Sequence, residues 1–205
     1  MAKARYLIPA ETFRCEIEIK RSRFITTIAM TDTPEAAHAF VAAIKEEFPD
    51  ASHNCWAYLV GPPGSTDRIG LSDDGEPHGT AGKPMLTALQ HSGLGDISAV
   101  VTRYFGGTKL GTGGLVKAYT EAVKVAIEQM TPAEKIDWTQ LRVTFAYPLL
   151  ERVELLLPEH EAVILDRQYA EQVTLELKLP QENLSELETR LTDLSAGRAT
   201  LEHPE

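Results

Sequence analysis

Glycine is distributed very unevenly along this 205-residue chain. Thirteen of the 14 glycines lie between Gly61 and Gly114, and Gly197 is the only one outside that window. Glycine adopts positive φ angles and lets a ligand or a second backbone segment come close, at a cost of about 0.5–1 kcal/mol in a regular element. The window therefore requires unusual backbone, either for a set of tight turns or for binding loops.

The first glycine motif runs from Leu71 to Pro84 and reads LSDDGEPHGTAGKP. It leads into a helical pattern, so Thr80 or Gly82 is predicted to cap a helix. The first backbone N–H groups of a helix are unpaired and attract phosphate or carboxylate, and Lys83 would add a full positive charge. The motif is not a Walker A loop, because Pro84 stands where that loop needs serine or threonine.

Acidic residues crowd the start of this motif, and His78 follows them. Carboxylates at this density either form turns or ligate a hard cation such as Mg²⁺, although EF-hand spacing is absent. An acid–base role is the other alternative. Mg²⁺ is the one cofactor that the sequence leaves open, and no other is expected. The candidate metal or acid–base residues are Asp73, Asp74, Glu76 and His78.

The second glycine motif runs from Val101 to Tyr119 and joins a buried strand to a helix, with Thr112 as the predicted N-cap. A GxGxxG dinucleotide fingerprint is missing from it. Basic side chains and Tyr104 with Phe105 provide phosphate contacts and stacking surfaces of the kind that single-stranded RNA uses. The predicted anion or nucleic-acid-binding residues are Lys83, Arg103, Tyr104, Gly106, Gly107, Lys109, Gly111, Gly113, Gly114 and Lys117, together with Thr80 and Gly82.

The two cysteines do not indicate a functional site. Cys15 and Cys55 show no CxxC spacing, so neither a disulfide framework nor a structural zinc site is indicated. His53 and Cys55 lie two positions apart on a predicted strand, and we interpret Cys55 as a core residue rather than a nucleophile. No catalytic residue is assigned.

Periodicity predicts two α+β domains, 1–133 and 134–205, separated by a linker at Thr131–Ala133. In the first, alternation at Cys15–Ile19 and an apolar run at Phe24–Met30 predict a hairpin turning at Arg21–Arg23, and the spacing predicts a helix over 34–48. The remaining predicted elements of this domain are strands at 55–60, 68–71 and 97–104 and helices at 83–91 and 115–130.

The second domain shows the order β-α-β-β-α-β, which is the ferredoxin-like arrangement. Its strands are predicted around Leu141–Phe145, 163–168, 173–179 and 199–202. Leucine stripes before Pro158 and before Gly197 predict the two helices.

The formal charge of −10, from 20 basic and 30 acidic residues, excludes a protein that coats nucleic acid by bulk electrostatics alone. Residues 134–205 hold 7 basic and 15 acidic side chains, so an anionic partner needs a local basic patch in the first domain. No apolar stretch is long enough to span a membrane and no signal core follows the first residues, which predicts a cytoplasmic protein without membrane contact.

Three segments together resemble the IMPACT family: His53–Tyr58 (HNCWAY), Ser72–Gly82 and, above all, Arg103–Leu115 (RYFGGTKLGTGGL). The resemblance covers nearly the whole chain and is nearest to the bacterial members. It implies a first domain folded like the second domain of ribosomal protein S-five and a ferredoxin-like second domain, a pairing similar to domains four and five of elongation factor G. Eukaryotic relatives act in translational control and carry a different, non-homologous partner-binding domain, so the resemblance does not transfer their partner to this chain. The family brings no settled enzymatic activity.

The preferred hypothesis is a non-catalytic cytosolic protein that binds RNA or the ribosome and acts in translational regulation, with Arg103, Lys109, Lys117 and Lys83 on phosphates. The first alternative is a small-molecule phosphate enzyme, with the acidic cluster holding Mg²⁺ or serving as base and His78 carrying a proton. The second alternative is a protein-interaction module that meets a basic partner through the sheet face of the acidic second domain.

Overall fold

The structure is a computed structural model that describes residues 5–204. The chain forms two compact units, residues 1–135 and 136–205, next to the expected boundary at 133/134. Both units combine helices with antiparallel sheets, which confirms the predicted two-domain α+β class. Within the described residues, no helix combines the length and apolarity that crossing a membrane requires.

The N-terminal unit is built on a five-stranded antiparallel sheet, with a separate two-stranded pair beside it. The strands are β1 (Arg5–Pro9), β2 (Phe13–Ile19), β3 (Ser22–Met30), β4 (His53–Leu59), β5 (Ile69–Ser72), β6 (Ile97–Tyr104) and β7 (Pro132–Ile136). The helices are α1 (Pro34–Glu47), α2 (Gly82–Gln90) and α3 (Thr112–Gln129). The large sheet has the strand order β2-β3-β6-β4-β5, and β1 pairs with β7.

The central strand β6 is covered on both faces, which explains why Val100 and Val101 are adjacent and both fully buried. Val100 packs with Val41 and Ile44 of α1, whereas Val101 belongs to the larger core under α2 and α3. Odd-numbered residues of β6 therefore face α2 and α3, and even-numbered residues face α1. This alternation places Arg103 on the side of α2 and α3 and Tyr104 on the side of α1.

The predicted helix α1 is confirmed, with the Thr33 hydroxyl accepting a hydrogen bond from the Ala36 N–H at 3.1 Å. The predicted caps of the other two helices are wrong. The N-cap of α2 is Ala81, and the Thr80 hydroxyl instead donates to the Pro77 carbonyl at 2.6 Å. The N-cap of α3 is Gly111 at φ +74°. A threonine in this position would adopt that φ angle only with strain.

The β2–β3 hairpin is confirmed, but its turn consists of Lys20 and Arg21 at φ 49° and 66°, and Ser22 already belongs to β3. The backbone of this turn lies directly against Gly106, which follows β6. A Cβ at Gly106 would overlap the Arg21 carbonyl, and the Gly106 N–H donates to the Ser22 hydroxyl at 3.2 Å. Gly106 therefore brings the turn and the second glycine motif together.

The β1–β7 pair was not predicted, and the expected linker at Thr131–Ala133 runs into β7. Buried Asp96 ties this pair to the unit, because its carboxylate accepts hydrogen bonds from the Tyr6 hydroxyl at 2.6 Å and the Lys135 ammonium at 2.5 Å. The Gly61 N–H donates to its other oxygen at 2.7 Å.

The C-terminal unit confirms the predicted β-α-β-β-α-β order. Its elements are β8 (Trp138–Phe145), α4 (Leu150–Leu156), β9 (Val163–Tyr169), β10 (Val173–Pro180), α5 (Leu184–Ser195) and β11 (Thr200–Glu202). The sheet order β11-β8-β10-β9 is the ferredoxin-like one. Helices α4 and α5 cover one face of the sheet and enclose the second core.

Acidic residues of this unit lie on its helices and turns as well as on its sheet. On the sheet, Glu176 and Glu202 both contact Arg142, at 2.7 and 3.5 Å, which neutralises part of their charge. The acids on the helices and on the short 3-10 turns beside them are Glu151, Glu154, Glu159, Glu182, Glu186, Glu188 and Asp193.

Candidate anion-binding site

The N-terminus of α2 is already occupied by a carboxylate of the chain itself. Asp73 accepts backbone N–H hydrogen bonds from Gly79 at 2.7 Å, Ala81 at 3.0 Å and Gly82 at 2.9 Å. Burial alone would raise the Asp73 pKa, but these three N–H groups outweigh it and hold the pKa below its usual value. The Asp73 carboxylate therefore occupies the site that the sequence predicted for an external anion at Thr80 and Gly82.

Asp73 is one member of the acidic cluster that the sequence suggested as a metal site. Asp74 contacts the Lys45 ammonium at 2.5 Å and accepts from the Asn54 N–H at 2.7 Å. His78 is fully exposed and lies 3.7 Å from Asp73. Each carboxylate thus serves a different part of the fold, and the described residues contain no group of three acidic, histidine or cysteine side chains placed to hold a metal ion.

Acid is expected to destabilise the N-terminal unit through Asp73 and Asp96. Burial would raise both pKa values, but hydrogen bonds outweigh it and hold them below the ordinary aspartate value. The same side chains in an unfolded chain titrate at about 3.9, so the unfolded chain binds these protons at higher pH. The stabilisation is complete above about pH 4 and is lost as the pH falls through the lowered folded pKa values. Urea unfolding between about pH 5 and pH 2 should show this slope.

Asp73→Asn keeps an acceptor for the N–H groups but removes the charge, so its slope should be shallower than the wild-type slope. Asp32→Asn, at an exposed carboxylate, is the matched control and should leave the slope unchanged. An unaltered slope in Asp73→Asn would show that the charge of Asp73 does not contribute to the loss of stability in acid.

Arg103 does not extend from the surface as the sequence suggested. It is 5% exposed, and its Nη1 lies 2.5 Å from Oε1 of Glu76, which is 8% exposed. The Tyr119 hydroxyl donates to the same Glu76 oxygen at 2.9 Å, and burial raises the Tyr119 pKa, which keeps this donor protonated. Arg103 of the second glycine motif and Glu76 of the first therefore form a buried ion pair, and Arg103 is not a free phosphate contact.

Cys55 lies in the core as predicted, with its thiol donating to the Asp73 carbonyl at 2.9 Å and contacting the Tyr119 hydroxyl. Burial raises the pKa of this thiol to about 12, which removes its nucleophilic form at neutral pH. His53 directs Nδ1 at the Asp74 carbonyl, 2.9 Å away, so the two residues do not form a nucleophile–base pair.

The start of α3 remains open to a ligand. The first intrahelical hydrogen bond runs from the Leu115 N–H to the Gly111 carbonyl, and no side chain caps the N–H groups of the three residues between them. Exposed basic side chains lie beside this end: Lys20 and Lys117 line one concave area with Gly113 and Gly114, Lys109 lines another with Gly111 and Thr112, and Arg21 follows Lys20 in the hairpin turn. The ion pairs found among the described residues include none of these four. We call this surface the α3 surface; it consists of Lys20, Arg21, Lys109, Lys117 and the N–H groups of Thr112, Gly113 and Gly114.

Two concave areas lie on the α3 surface, on either side of Leu110. The larger, about 530 Å³, is lined by Lys20, Lys117 and the glycines at the helix start, with Glu121 as its one carboxylate. The smaller, about 340 Å³, has the buried Glu76–Arg103 pair on one side and Phe105, Lys109 and Thr112 among its other lining residues. Both volumes lie within the range of ligand pockets, which is about 300–1,000 Å³.

The remaining predicted residues lie in different parts of the N-terminal unit. Gly107 and Lys109 lie in the exposed loop beside α3, whereas Lys83 lies on α2 and lines a neighbouring groove with Val116 and Thr120. Tyr104 faces the α1 side, where its hydroxyl donates to Asp50 at 2.8 Å, so it is not part of the α3 surface. Phe105 lines the α3 surface instead, and this residue is 52% exposed.

Sequence reasoning missed Lys20 and Arg21 as members of this surface. They lie more than 80 positions from Lys109, and only the contact between Gly106 and the hairpin turn brings them close. The basic pair at a predicted turn was the signal available, but the position of a turn in space is not local information.

With this geometry in place, comparison with known proteins gives the family. Residues 20–127 match the Impact N-terminal domain, and residues 143–198 match a domain of unknown function, DUF1949. The chain belongs to the IMPACT family. It is 46% identical to the IMPACT family member YigZ of Escherichia coli over 196 residues, which covers 96% of each chain. It is 34% identical to the family member YvyE of Bacillus subtilis, over 98% of this chain and 91% of the relative.

A solved structure titled as the crystal structure of a hypothetical protein is similar as well, with a TM-score of 0.68 and 45% identity over 99% of this chain and 98% of the other. The resemblance seen in the sequence is thereby confirmed. The Impact match contains both glycine motifs, the buried ion pair and the α3 surface, so the candidate site lies within the family's N-terminal domain.

Proposed function

We propose that this IMPACT-family protein is a non-catalytic binding protein that binds RNA of the translation apparatus through the α3 surface. The observation that carries the proposal is the group of exposed, unpaired cations around the open N-terminus of α3. Elsewhere in the N-terminal unit, basic side chains such as Arg14, Arg23 and Lys45 are paired with carboxylates. Unpaired cations beside unpaired N–H groups are a phosphate-binding arrangement.

The charge of the whole chain limits how such binding can work. At −10 the protein repels RNA at long range. Attraction therefore acts only close to the α3 surface, within about 8 Å at physiological salt. Three or four phosphates fit a group of four cations. Binding is therefore expected to be weak and strongly salt-dependent.

The alternative of a small-molecule phosphate enzyme receives less support from the geometry. It needs Asp73, Asp74 or Glu76 as metal ligands or base, and these carboxylates hold the α2 backbone, Lys45 and Arg103 respectively. The protein-interaction alternative through the sheet face of the acidic C-terminal unit stays a prediction.

Fluorescence anisotropy with a labelled single-stranded RNA of mixed sequence tests the proposal. With three phosphate contacts, log K should fall by about 2 for each tenfold rise in salt, because single strands lose about 0.7 per contact. Replacing Lys109 and Lys117 together with alanine removes two contacts, and should weaken binding about tenfold or more at low salt and reduce the salt slope by about 1.4.

Lys124→Ala is the matched control, because Lys124 is an exposed lysine on the same helix. It lies 12 residues, or about 18 Å, beyond the helix start. It should bind RNA like the wild type. Ribosome cosedimentation with the same three proteins extends the test to the translation apparatus. Equal binding by the double variant and the control, or no RNA binding at low salt, would overturn the proposal.

A further inference from the structure

The smaller pocket on the α3 surface has a composition that phosphate binding alone does not use. One wall is Phe105, and Lys109, Gly111 and Thr112 line the side next to the start of α3. Glu76 and Arg103 also line it, and both are more than nine-tenths buried. A buried carboxylate and a buried guanidinium in the lining of an open pocket favour a ligand that carries polar groups.

These two side chains have hydrogen-bonding capacity left over. The Nε of Arg103 is buried and has no partner, which leaves one donor of the guanidinium unsatisfied. The hydrogen bonds found to Glu76 among the described residues, from Arg103 and Tyr119, both end at Oε1. Its Oε2 is left as an acceptor. An unpaired carboxylate oxygen on a residue that lines a pocket is an acceptor for a ligand N–H group.

Phe105 adds an apolar, flat surface to the same pocket. Phe105 is 52% exposed, and the Arg103 guanidinium lies 5.7 Å from the centroid of its ring. Aromatic rings in this setting stack with unpaired bases of single-stranded RNA. Thr112 lines this pocket, so the unpaired N–H groups at the start of α3 lie beside it.

We propose that this pocket binds one unstacked nucleotide of single-stranded RNA whose base carries an exocyclic amino group. This inference rests on the proposed function and names its substrate class. The base stacks on Phe105, its amino group donates to the Glu76 carboxylate, and its phosphate lies at the start of α3. Adenine, cytosine and guanine have the amino donor that an acceptor-only carboxylate requires. Uracil has carbonyl oxygens at the exocyclic positions, which the carboxylate repels, and its N3–H donor lies between them.

The test uses the full-length protein and four seven-nucleotide RNAs: seven uridines, and the same strand with its central base replaced by cytosine, adenine or guanine. Each amino-bearing strand should bind at least about tenfold more tightly than the all-uridine strand, since hydrogen bonds to charged groups are strong. Phe105→Ala should weaken the amino-bearing strands about tenfold and remove most of the preference. Leu71→Ala, at an exposed apolar residue of β5, is the control and should leave both unchanged.

The outcomes separate the two proposals. If all four strands bind with the same salt-dependent affinity, and Phe105→Ala binds like the wild type, the nucleotide pocket is overturned while the α3 surface stands. If no strand binds at low salt, both are overturned. Competition by cytidine monophosphate identifies a free nucleotide as a sufficient ligand, and its failure while the preference persists identifies the RNA strand as the ligand.

Discussion

Replacing Arg103 with alanine is expected to lower the free energy of unfolding of the N-terminal unit by about 3–5 kcal/mol, because the change leaves the Glu76 carboxylate buried without its partner. The pair is at 2.5 Å, and the two side chains are 6% and 4% exposed. The measurement is urea unfolding followed by the fluorescence of Trp56 of β4, in a Trp138→Phe background that removes the tryptophan of the C-terminal unit.

Arg23→Ala is the matched control. Its partner Glu16 is also bound by a guanidinium, at 2.7 Å, but both side chains are about half exposed. Water and salt screen such a pair, so the loss should be small beside that of Arg103→Ala. A second comparison is the double variant Glu76→Leu/Arg103→Met, which removes both charges and should recover part of the loss. Wild-type stability in Arg103→Ala together with lost RNA binding would contradict the structural role and restore Arg103 as a surface contact.

Most of the fold could be predicted because its signals are local. The alternation at Cys15–Ile19 and the stripe Leu184–Leu194 follow from which face of a strand or helix must be buried. The β1–β7 pair could not, since its strands are over 120 residues apart and depend on Asp96, a single buried carboxylate. Pairings between distant short strands leave little trace in periodicity.

The candidate site was predictable as a region and not in its details. Two glycine motifs that each lead into a helix gave the location, and the open start of α3 agrees with that expectation. Which cations remain free depends on their partners, and a sequence does not show that Glu76 reaches Arg103 or that Asp73 fills the start of α2. The sequence alone places both acids in one group, because three carboxylates within four positions look alike before folding separates them.

The second large effect concerns Gly106. An alanine there would place its Cβ on the carbonyl group of Arg21 and close to the Ser22 nitrogen, which are backbone atoms and cannot rotate away. We expect Gly106→Ala to lower the free energy of unfolding by about 3 kcal/mol or more, because overpacking against fixed atoms forces the strand end and the hairpin apart. The Trp56 unfolding measurement detects this loss.

Two neighbouring glycines provide a graded comparison for Gly106. Gly107 is at φ +82° with open space around its Cβ position. Alanine there should cost only the conformational strain, about 1–2 kcal/mol. Gly113 lies in the first turn of α3 with nothing near its Cβ position, so alanine should stabilise the protein by about 0.4–1 kcal/mol. If Gly106→Ala lost no more stability than Gly107→Ala, the hairpin turn would not be held by that contact, and Lys20 and Arg21 would no longer belong beside Lys109.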